Sequence, residues 1–214
     1  MTDIKEKKQK HKEDLKLTIL EAAKKLFVQE GYESTSIRKI AKEIGFSPTT
    51  IYLYYKDKND IVYALHREGF QLLRQQFGAL ESVDDPFQRI KALGRVYIDF
   101  AFRNPDYYQV MFMMKEPMTF LETHCAHEQW PEGERAFDFL RGTVAQCQEQ
   151  GWFKGLDGNF VALQTWGAVH GLVTLYLSEH MSKIAENLAL ELSVRELVNK
   201  SFEVFVTFIE QSKK

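Results

Sequence analysis

Residues 35–58 read TSIRKIAKEIGFSPTTIYLYYKDK and break into two short helices around a tight turn. The first helix can begin at Thr35 or Ser36, since a hydroxyl there accepts a hydrogen bond from an otherwise unpaired backbone N–H. Gly45 ends it, because glycine tolerates the left-handed backbone conformation. Ser47 then caps the second helix, and the proline that follows takes the first helical position, where no N–H is needed.

The second of these helices has an unusual outward face. Ile51 and Tyr55 lie four residues apart and are expected to point inward. Threonine and tyrosine dominate the rest of the helix, although β-branched and aromatic residues are poor formers of exposed helix. Threonine can contact bases, and tyrosine hydroxyls reach phosphates. The pattern predicts a helix-turn-helix motif at about residues 36–55, whose second helix enters the major groove of DNA, although a small structural helix hairpin would also fit.

The predicted DNA contacts are polar side chains on this motif and at the start of the helix that follows it. A helix N-terminus favours a phosphate, and a lysine there adds a full charge. The set is Thr35, Ser36, Arg38, Ser47, Thr49, Thr50, Tyr52, Tyr54 and Lys58.

Residues 15–65 resemble the N-terminal domain of the TetR/AcrR family of bacterial transcriptional regulators. The resemblance runs without a gap and rests on ILEAAKKLF from Ile19, GY from Gly31, TSIRKIA from Thr35, GFS from Gly45, IY from Ile51 and YYKDK from Tyr54. It implies a dimeric, all-helical repressor with a C-terminal ligand-binding domain, and a double-stranded DNA operator as partner.

The distribution of charge agrees with such a division. Residues 1–60 hold 13 Lys and Arg against 10 Asp and Glu, whereas residues 61–214 hold 15 against 20. A basic head on an acidic body fits a DNA-binding module joined to one that does not bind DNA. The sequence therefore predicts a charged tail at 1–13, a DNA-binding domain at 14–60 and a ligand-binding and dimerisation domain at 61–214, with about nine helices in all.

Cysteine usage and hydropathy indicate the compartment. Cys125 and Cys147 have no paired spacing, which argues against a disulfide scaffold or a zinc finger and suits a reducing cytoplasm. No N-terminal apolar run resembles a signal peptide, and no stretch of about 18 apolar residues is evident. We expect a cytoplasmic protein without a membrane partner, with a frayed tail and with a loop or lid at residues 115–133.

Aromatic residues and methionine recur on the inner faces of the second domain. They predict a cavity for a small, largely apolar effector, in which a histidine and a tyrosine hydroxyl orient the ligand. A filled core around a structural histidine would leave the same pattern. The predicted lining is Phe100, Tyr107, Tyr108, Met111, Phe137, Trp166 and His170. Residues 166–171 also resemble the Trp–His–Gly signature of one C-terminal class within the family.

Two helical stretches carry more apolar surface than one core can cover. A helix at about residues 159–180 is apolar on two faces, and residues 193–210 form a second apolar helix. A large exposed apolar patch on a soluble protein marks an interface. We expect a homodimer that pairs through residues 161–175 and 193–210.

Other functions find less support in the sequence. An enzyme could use His170 as a base, but no Ser/His/Asp set or phosphate loop accompanies it, and a lone histidine on an apolar helix face is more often a core residue. His124, Cys125 and His127 have a spacing that turns the cysteine away from the histidines. We therefore predict no catalytic residue, metal or cofactor. A DNA-binding regulator without small-molecule control stays an alternative.

Overall fold

A computed structural model describes residues 2–124, 130–211 and 213. Within them the regular structure is helical throughout, with a 3-10 turn at Ala79–Ser82 and a π segment at Gln109–Met113. This confirms the all-α prediction. The α-helices are α1 Thr2–Glu30, α2 Ile37–Glu43, α3 Pro48–Tyr52, α4 Lys58–Gly78, α5 Pro86–Arg103, α6 Pro105–Tyr108, α7 Glu116–His124, α8 Pro131–Glu149, α9 Gly158–Leu177, α10 His180–Asn187 and α11 Val194–Glu210.

Side-chain caps set where several helices begin. Asp85 accepts a hydrogen bond from the backbone of Gln88 and precedes the proline that opens α5. Ser193 and Glu196 form a reciprocal capping box at the start of α11. These signals are local in sequence, and the predicted start of α11 at residue 193 lies within one residue of the observed one.

The N-terminal tail is helical, and the expected fraying of residues 1–13 was wrong. Helix α1 begins at Thr2 and runs unbroken to Glu30. Lysine, glutamate and glutamine are good helix formers. The Gln9 amide also donates to the Glu13 carboxylate one turn later, at 2.7 Å. Helix propensity therefore extends α1 toward the N-terminus from Leu15, which is the first of its described side chains to be buried.

Two helices that the sequence did not predict lie later in the chain. Part of the expected loop at 115–133 is α7, which ends at His124. Cys125 and His127, weighed above as metal ligands, lie outside the described residues. Helix α10 follows α9 almost directly because Glu179 adopts a left-handed backbone conformation, with φ of 61°. Because the residues at that break include neither glycine nor proline, it could not be predicted from the sequence.

The helices form two compact units. The first holds residues 1–71 and 106–130, and the second holds residues 72–105 and 131–214. This division differs from the predicted boundary after residue 60, because residues 106–130 fold with the first unit. Buried side chains of the first unit include Ile19, Phe27, Ile40, Ile51 and Leu65. One core of the second unit contains Phe87, Ile90, Val144, Cys147, Trp152, Phe153, Val161 and Ala162.

Helix α9 carries more apolar surface than its own unit buries. In the described part of the chain it is the one helix that is long and apolar enough to cross a membrane, against the expectation that none is. It packs on α5, α8, α10 and α11 within the second unit, where Val169 and Val173 are buried. The other face leaves Phe160 70% exposed and Leu163 50% exposed. It is the central helix of this unit, with a second apolar face left uncovered.

Close packing of α5 against α11 gives a stability prediction. A Cβ at Gly94 would overlap the ring of Phe202, which is 3% exposed. Gly94→Ala should therefore lower the free energy of unfolding by about 1–3 kcal/mol, since an overfilled core must shift. Urea unfolding followed by circular dichroism measures the change.

The matched control is Gly142→Ala on α8, where a Cβ meets open space. It should raise the unfolding free energy by roughly 0.5–1 kcal/mol, as alanine does in a helix. The combination of Gly94→Ala with Phe202→Leu should recover part of the loss. Equal stability of the two alanine variants would contradict the packing described.

Candidate DNA interface and effector site

The turn between α2 and α3 has the geometry of a Schellman motif. Gly45 has φ of +71°, and its N–H donates to the Lys42 carbonyl at 3.3 Å. The N–H of Phe46 reaches back to the Ala41 carbonyl at 2.9 Å. Ser47 then accepts a hydrogen bond from the Thr50 N–H at 3.2 Å. Backbone and cap bonds thus fix both ends of the turn and the direction in which α3 leaves it.

Helix α3 presents most of the predicted contact face to solvent. Ser47, Thr49 and Tyr52 are exposed, whereas Thr50 and Tyr54 are half-buried. Ile51 and Tyr55 lie in the core, as the spacing predicted. The helix itself ends at Tyr52, three residues earlier than expected. Its exposed surface combines hydroxyl groups and an aromatic ring, a composition suited to base and phosphate contacts.

Thr35 does not belong to this surface. Its side chain is 2% exposed and its hydroxyl donates to the Gly31 carbonyl at 2.9 Å. Ser36, not Thr35, caps α2 by accepting from the Lys39 N–H at 3.2 Å. The predicted DNA contact at Thr35 is therefore replaced by a structural role, while Ser36 and Arg38 remain exposed.

Lys58 lies at the start of α4, as predicted, and it also contacts Tyr32 within the protein. Its ammonium group donates to the Tyr32 carbonyl at 2.8 Å and lies 3.8 Å from the centroid of the Tyr32 ring. The Tyr32 hydroxyl donates to the side-chain oxygen of Asn59, and burial raises the pKa of this tyrosine to about 12. These contacts join the segment after α1 to the first turn of α4. A phosphate contact by Lys58 stays a prediction.

The predicted effector residues divide between the two units. Phe100, Phe137, Trp166 and His170 belong to the second unit, in which Phe100 is fully buried. The Trp166 N–H donates to the Tyr97 hydroxyl at 3.3 Å, and that hydroxyl lies 2.9 Å from His170 Nδ1. Burial lowers the pKa of His170, which favours the neutral ring. A histidine and a tyrosine hydroxyl do meet here, in a hydrogen-bonded chain.

Tyr107, Tyr108 and Met111 lie in the first unit, where they are closely packed. The Tyr107 hydroxyl donates to Glu21 at 3.4 Å, and the Lys24 ammonium lies 3.7 Å from the centre of its ring. Burial and the nearby carboxylates raise the pKa of Tyr107. The side chain of Met111 fills the space next to Gly69. These contacts are those of a filled core.

A buried histidine that the sequence reading passed over lies in the same unit. His66 on α4 is fully buried. The centroid of its ring lies 4.9 Å from that of Phe70 and 6.0 Å from that of Tyr63. The Trp130 N–H donates to His66 Nε2 at 3.2 Å, and burial lowers the histidine pKa to about 4. The sequence does contain a signal for this buried histidine, because it is a polar residue in the apolar stripe of α4 between Val62 and Phe70.

An apolar groove lies on the second unit, between the start of α9 and the end of α11. Its volume is about 550 Å³. Aromatic and aliphatic side chains line most of it: Phe153, Leu156, Phe160, Val161, Phe205, Phe208 and Ile209. Phe208 is 66% exposed. The groove is continuous with the uncovered face of α9.

Two family profiles match the chain. Residues 19–65 match the one described as bacterial regulatory proteins, tetR family. Residues 90–200, more than half of the chain, match the one described as tetracyclin repressor-like, C-terminal domain. The chain belongs to the TetR family. Neither matched profile describes an enzyme, and the Trp–His–Gly class of the C-terminal domain stays a prediction.

Individual relatives agree with this assignment. The "Fatty acid metabolism regulator protein" of Bacillus subtilis is 39% identical over 59 residues, which are 28% of this chain and 30% of that protein. The chain thus matches less than a third of the length of that relative. Among solved structures, the fatty acid degradation regulator FadR from Bacillus halodurans has a TM-score of 0.71 at 18% identity, over 89% of this chain and 94% of that one.

A further structure contains ligands. AibR in complex with isovaleryl coenzyme A and operator DNA has a TM-score of 0.58 at 23% identity, over 75% of this chain and 85% of that one. At these identities the solved structures establish the fold of this TetR-family regulator.

The burial of His66 in this regulator predicts a pH-dependent stability. Its pKa is about 4 in the folded protein and 6.5 without burial. Between these values the unfolded chain binds a proton that the folded chain does not. The unfolding free energy should therefore fall as the pH drops through this window, by roughly 3 kcal/mol from this group.

Urea titrations between pH 7 and 4 measure the effect. His66→Phe should flatten the pH dependence, because the group that titrates is gone. The control is Phe70→Leu, a neighbour of the histidine ring, which should lower stability at every pH and leave the slope unchanged. A wild-type slope in His66→Phe would show that this histidine titrates normally.

Proposed function

We propose that this TetR-family regulator is a repressor that binds a palindromic operator as a homodimer and is released by a small, largely apolar effector. The observation that carries the proposal is the exposed face of α3, held by the turn at Gly45. Repression requires access to the chromosome, which places the protein in the cytoplasm.

The exposed Thr49 and Tyr52 of α3 support sequence-specific reading of DNA. Thr49 and Tyr52 are exposed on a helix whose opposite side is anchored by the buried Ile51. The helix offers a hydroxyl, a methyl group and a phenol to the floor and walls of the major groove.

Thr49→Ala should weaken binding to the operator by about 1–3 kcal/mol and change binding to random DNA little, as expected for a base contact. Fluorescence anisotropy on an operator selected from random DNA measures both affinities. The matched control is Thr35→Ala, which removes the same atoms from a buried position. It should cost about 1 kcal/mol of stability and leave the ratio of operator to random affinity unchanged. An equal loss on both DNAs for Thr49→Ala would mean that α3 reads no sequence.

Uncovered apolar surface supports the homodimer. Phe160, Leu163 and Leu175 on α9 are exposed, and so are Val204 and Phe208 on α11. A Cβ at Gly167 or Gly171 of α9 would meet open space. A second copy that packs its own α9 and α11 there would bury the same surface twice. Two-fold pairing also presents two α3 helices to a palindromic site.

Phe160→Arg should give monomers that lose operator binding, because a charge would be buried in the pairing surface. Sedimentation at micromolar concentration measures the association. The control is Leu188→Arg, an equally apolar and 63% exposed position outside the proposed surface, which should stay dimeric. A monomeric wild type would contradict the dimer, and a dimeric Phe160→Arg would contradict this interface.

Polar groups beside aromatic rings in the second unit support a small, largely apolar effector. The Tyr97–His170–Trp166 chain beside Phe137 offers polar groups next to aromatic rings, as small-molecule sites do. The names of the relatives connect similar chains with fatty acids and with an acyl coenzyme A. An acyl group, with its apolar chain and carbonyl, is the effector class that joins these two observations.

Regulation without a small molecule is the second candidate, and one observation favours it. Tyr107 and Met111 are packed against their neighbours in the manner of a core. Gel shifts on the selected operator, with and without a small-molecule extract of cells, separate the two. Release of DNA by the extract supports effector control, and an unchanged shift supports constitutive binding.

A further inference from the structure

The environment of His66 is apolar on the sides that the described residues define. The ring is fully buried on α4 and is surrounded by aromatic side chains of the first unit. Tyr63 stacks on one side of it and also on Phe120 of α7, while Trp130 packs edge-on against Phe70. A polar ring at such a position needs hydrogen-bond partners for both of its nitrogens.

One contact fixes the tautomer of His66. The indole N–H of Trp130 can only donate, and it points at His66 Nε2 from 3.2 Å. Nε2 must therefore carry a lone pair. A neutral imidazole has its proton on the other nitrogen, so Nδ1 is the N–H donor. The ring is a donor aimed away from Trp130.

The Nδ1–H donor has no partner among the described residues. A buried donor without an acceptor costs about 1–3 kcal/mol. A phenylalanine or leucine at this position of the apolar stripe would avoid that cost. A fixed, desolvated donor that no described residue satisfies, inside an aromatic enclosure, is suited to bind an acceptor atom of a ligand.

We propose that His66 Nδ1–H binds the carbonyl or carboxylate oxygen of an acyl effector, with the acyl chain against the rings of Tyr63, Phe70 and Phe120. The assignment rests on the proposed effector control, and it places the polar contact of the acyl group on His66 of α4 in place of the Tyr97–His170–Trp166 chain. An N–H donor excludes a cation or a metal ion at this nitrogen, and the enclosure of rings favours an apolar chain attached to the acceptor. The shared chemistry covers a free fatty acid and an acyl thioester.

The position of His66 connects the ligand to the DNA-reading head. It lies eight residues after Lys58 on the same helix, about 12 Å along α4. Lys58 is bonded to the Tyr32 carbonyl, and its neighbour Asn59 accepts from the Tyr32 hydroxyl. A ligand held at His66 therefore acts on the helix whose first turn is attached to the segment between α1 and α2. Release follows if the ligand prefers a position of α4 that strains these bonds.

Three probes test the contact by calorimetry on the full-length protein. Octanoyl coenzyme A carries the carbonyl, S-octyl coenzyme A has a CH₂ in its place, and octanoate separates a free acid from a thioester. The wild type should bind octanoyl coenzyme A about fivefold to tenfold more tightly than the S-octyl compound, the contribution of one net hydrogen bond. Preferential binding of octanoate would assign the site to a free acid instead, and the same donor would serve it.

Variants of His66 show which ring nitrogen binds the carbonyl oxygen. His66→Phe should bind the two coenzyme A compounds equally, whereas loss of packing alone would weaken both and keep their ratio. The amide nitrogen of asparagine reaches near the position of Nδ1, so His66→Asn should restore the preference. His66→Gln places its amide near Nε2 and should not. Long-range ¹H–¹⁵N spectra of the wild type should show the Nδ1–H tautomer and a shift of Nδ1 when octanoyl coenzyme A is added.

The outcomes separate this inference from the proposed function. If the wild type binds the two coenzyme A compounds equally, the proposed contact is wrong, since a water molecule bound to Nδ1 would give that result. An Nε2–H tautomer in the spectra would also overturn the contact. If none of the three probes binds, the acyl assignment is wrong. The gel-shift assay with cell extract then still decides whether any effector exists. A carbonyl preference that His66→Phe abolishes supports the contact even if the operator is not released, and that result would contradict only the proposed release.

Discussion

The left-handed turn at Gly45 is the constraint on which the DNA-reading surface depends. Two backbone hydrogen bonds, from Gly45 to Lys42 and from Phe46 to Ala41, close the end of α2 at this residue. Positive φ is costly for any residue with a Cβ, and glycine removes that cost. The direction of α3 follows from this turn and from the burial of Ile51 beneath it. These few bonds therefore determine where α3 can contact DNA.

Helix α4 brings the other features of the first unit together. At its start, Lys58 and Asn59 hold Tyr32 by its carbonyl, its ring and its hydroxyl. Two turns later, His66 is enclosed by aromatic rings and keeps one donor that no described residue satisfies. A helix with strong local bonds at one end and a buried polar donor further along is suited to transmit a binding event.

The sequence predicted the parts of this structure that are set by neighbouring residues. The cap at Ser47, the turn at Gly45 and the inward pair Ile51 and Tyr55 are all read within ten positions. Thr35 was predicted to contact DNA and His66 was passed over, because side-chain contacts that the sequence does not show decide the roles of both. The hydroxyl of Thr35 is used by the Gly31 carbonyl, and the tautomer of His66 is set by Trp130, 64 residues away. No periodicity reports such contacts, and the break at Glu179 likewise has no sequence signal.

The exposed face of α3 is proposed to read DNA in a two-fold arrangement. Hydroxyl-radical footprinting of the purified protein on DNA that it selects from a random pool tests this most directly. We expect two protected half-sites with inverted sequence, whose centres lie one helical turn of about 10 base pairs, or a multiple of it, apart. Selection of no preferred sequence, or a single protected segment without two-fold symmetry, would contradict it.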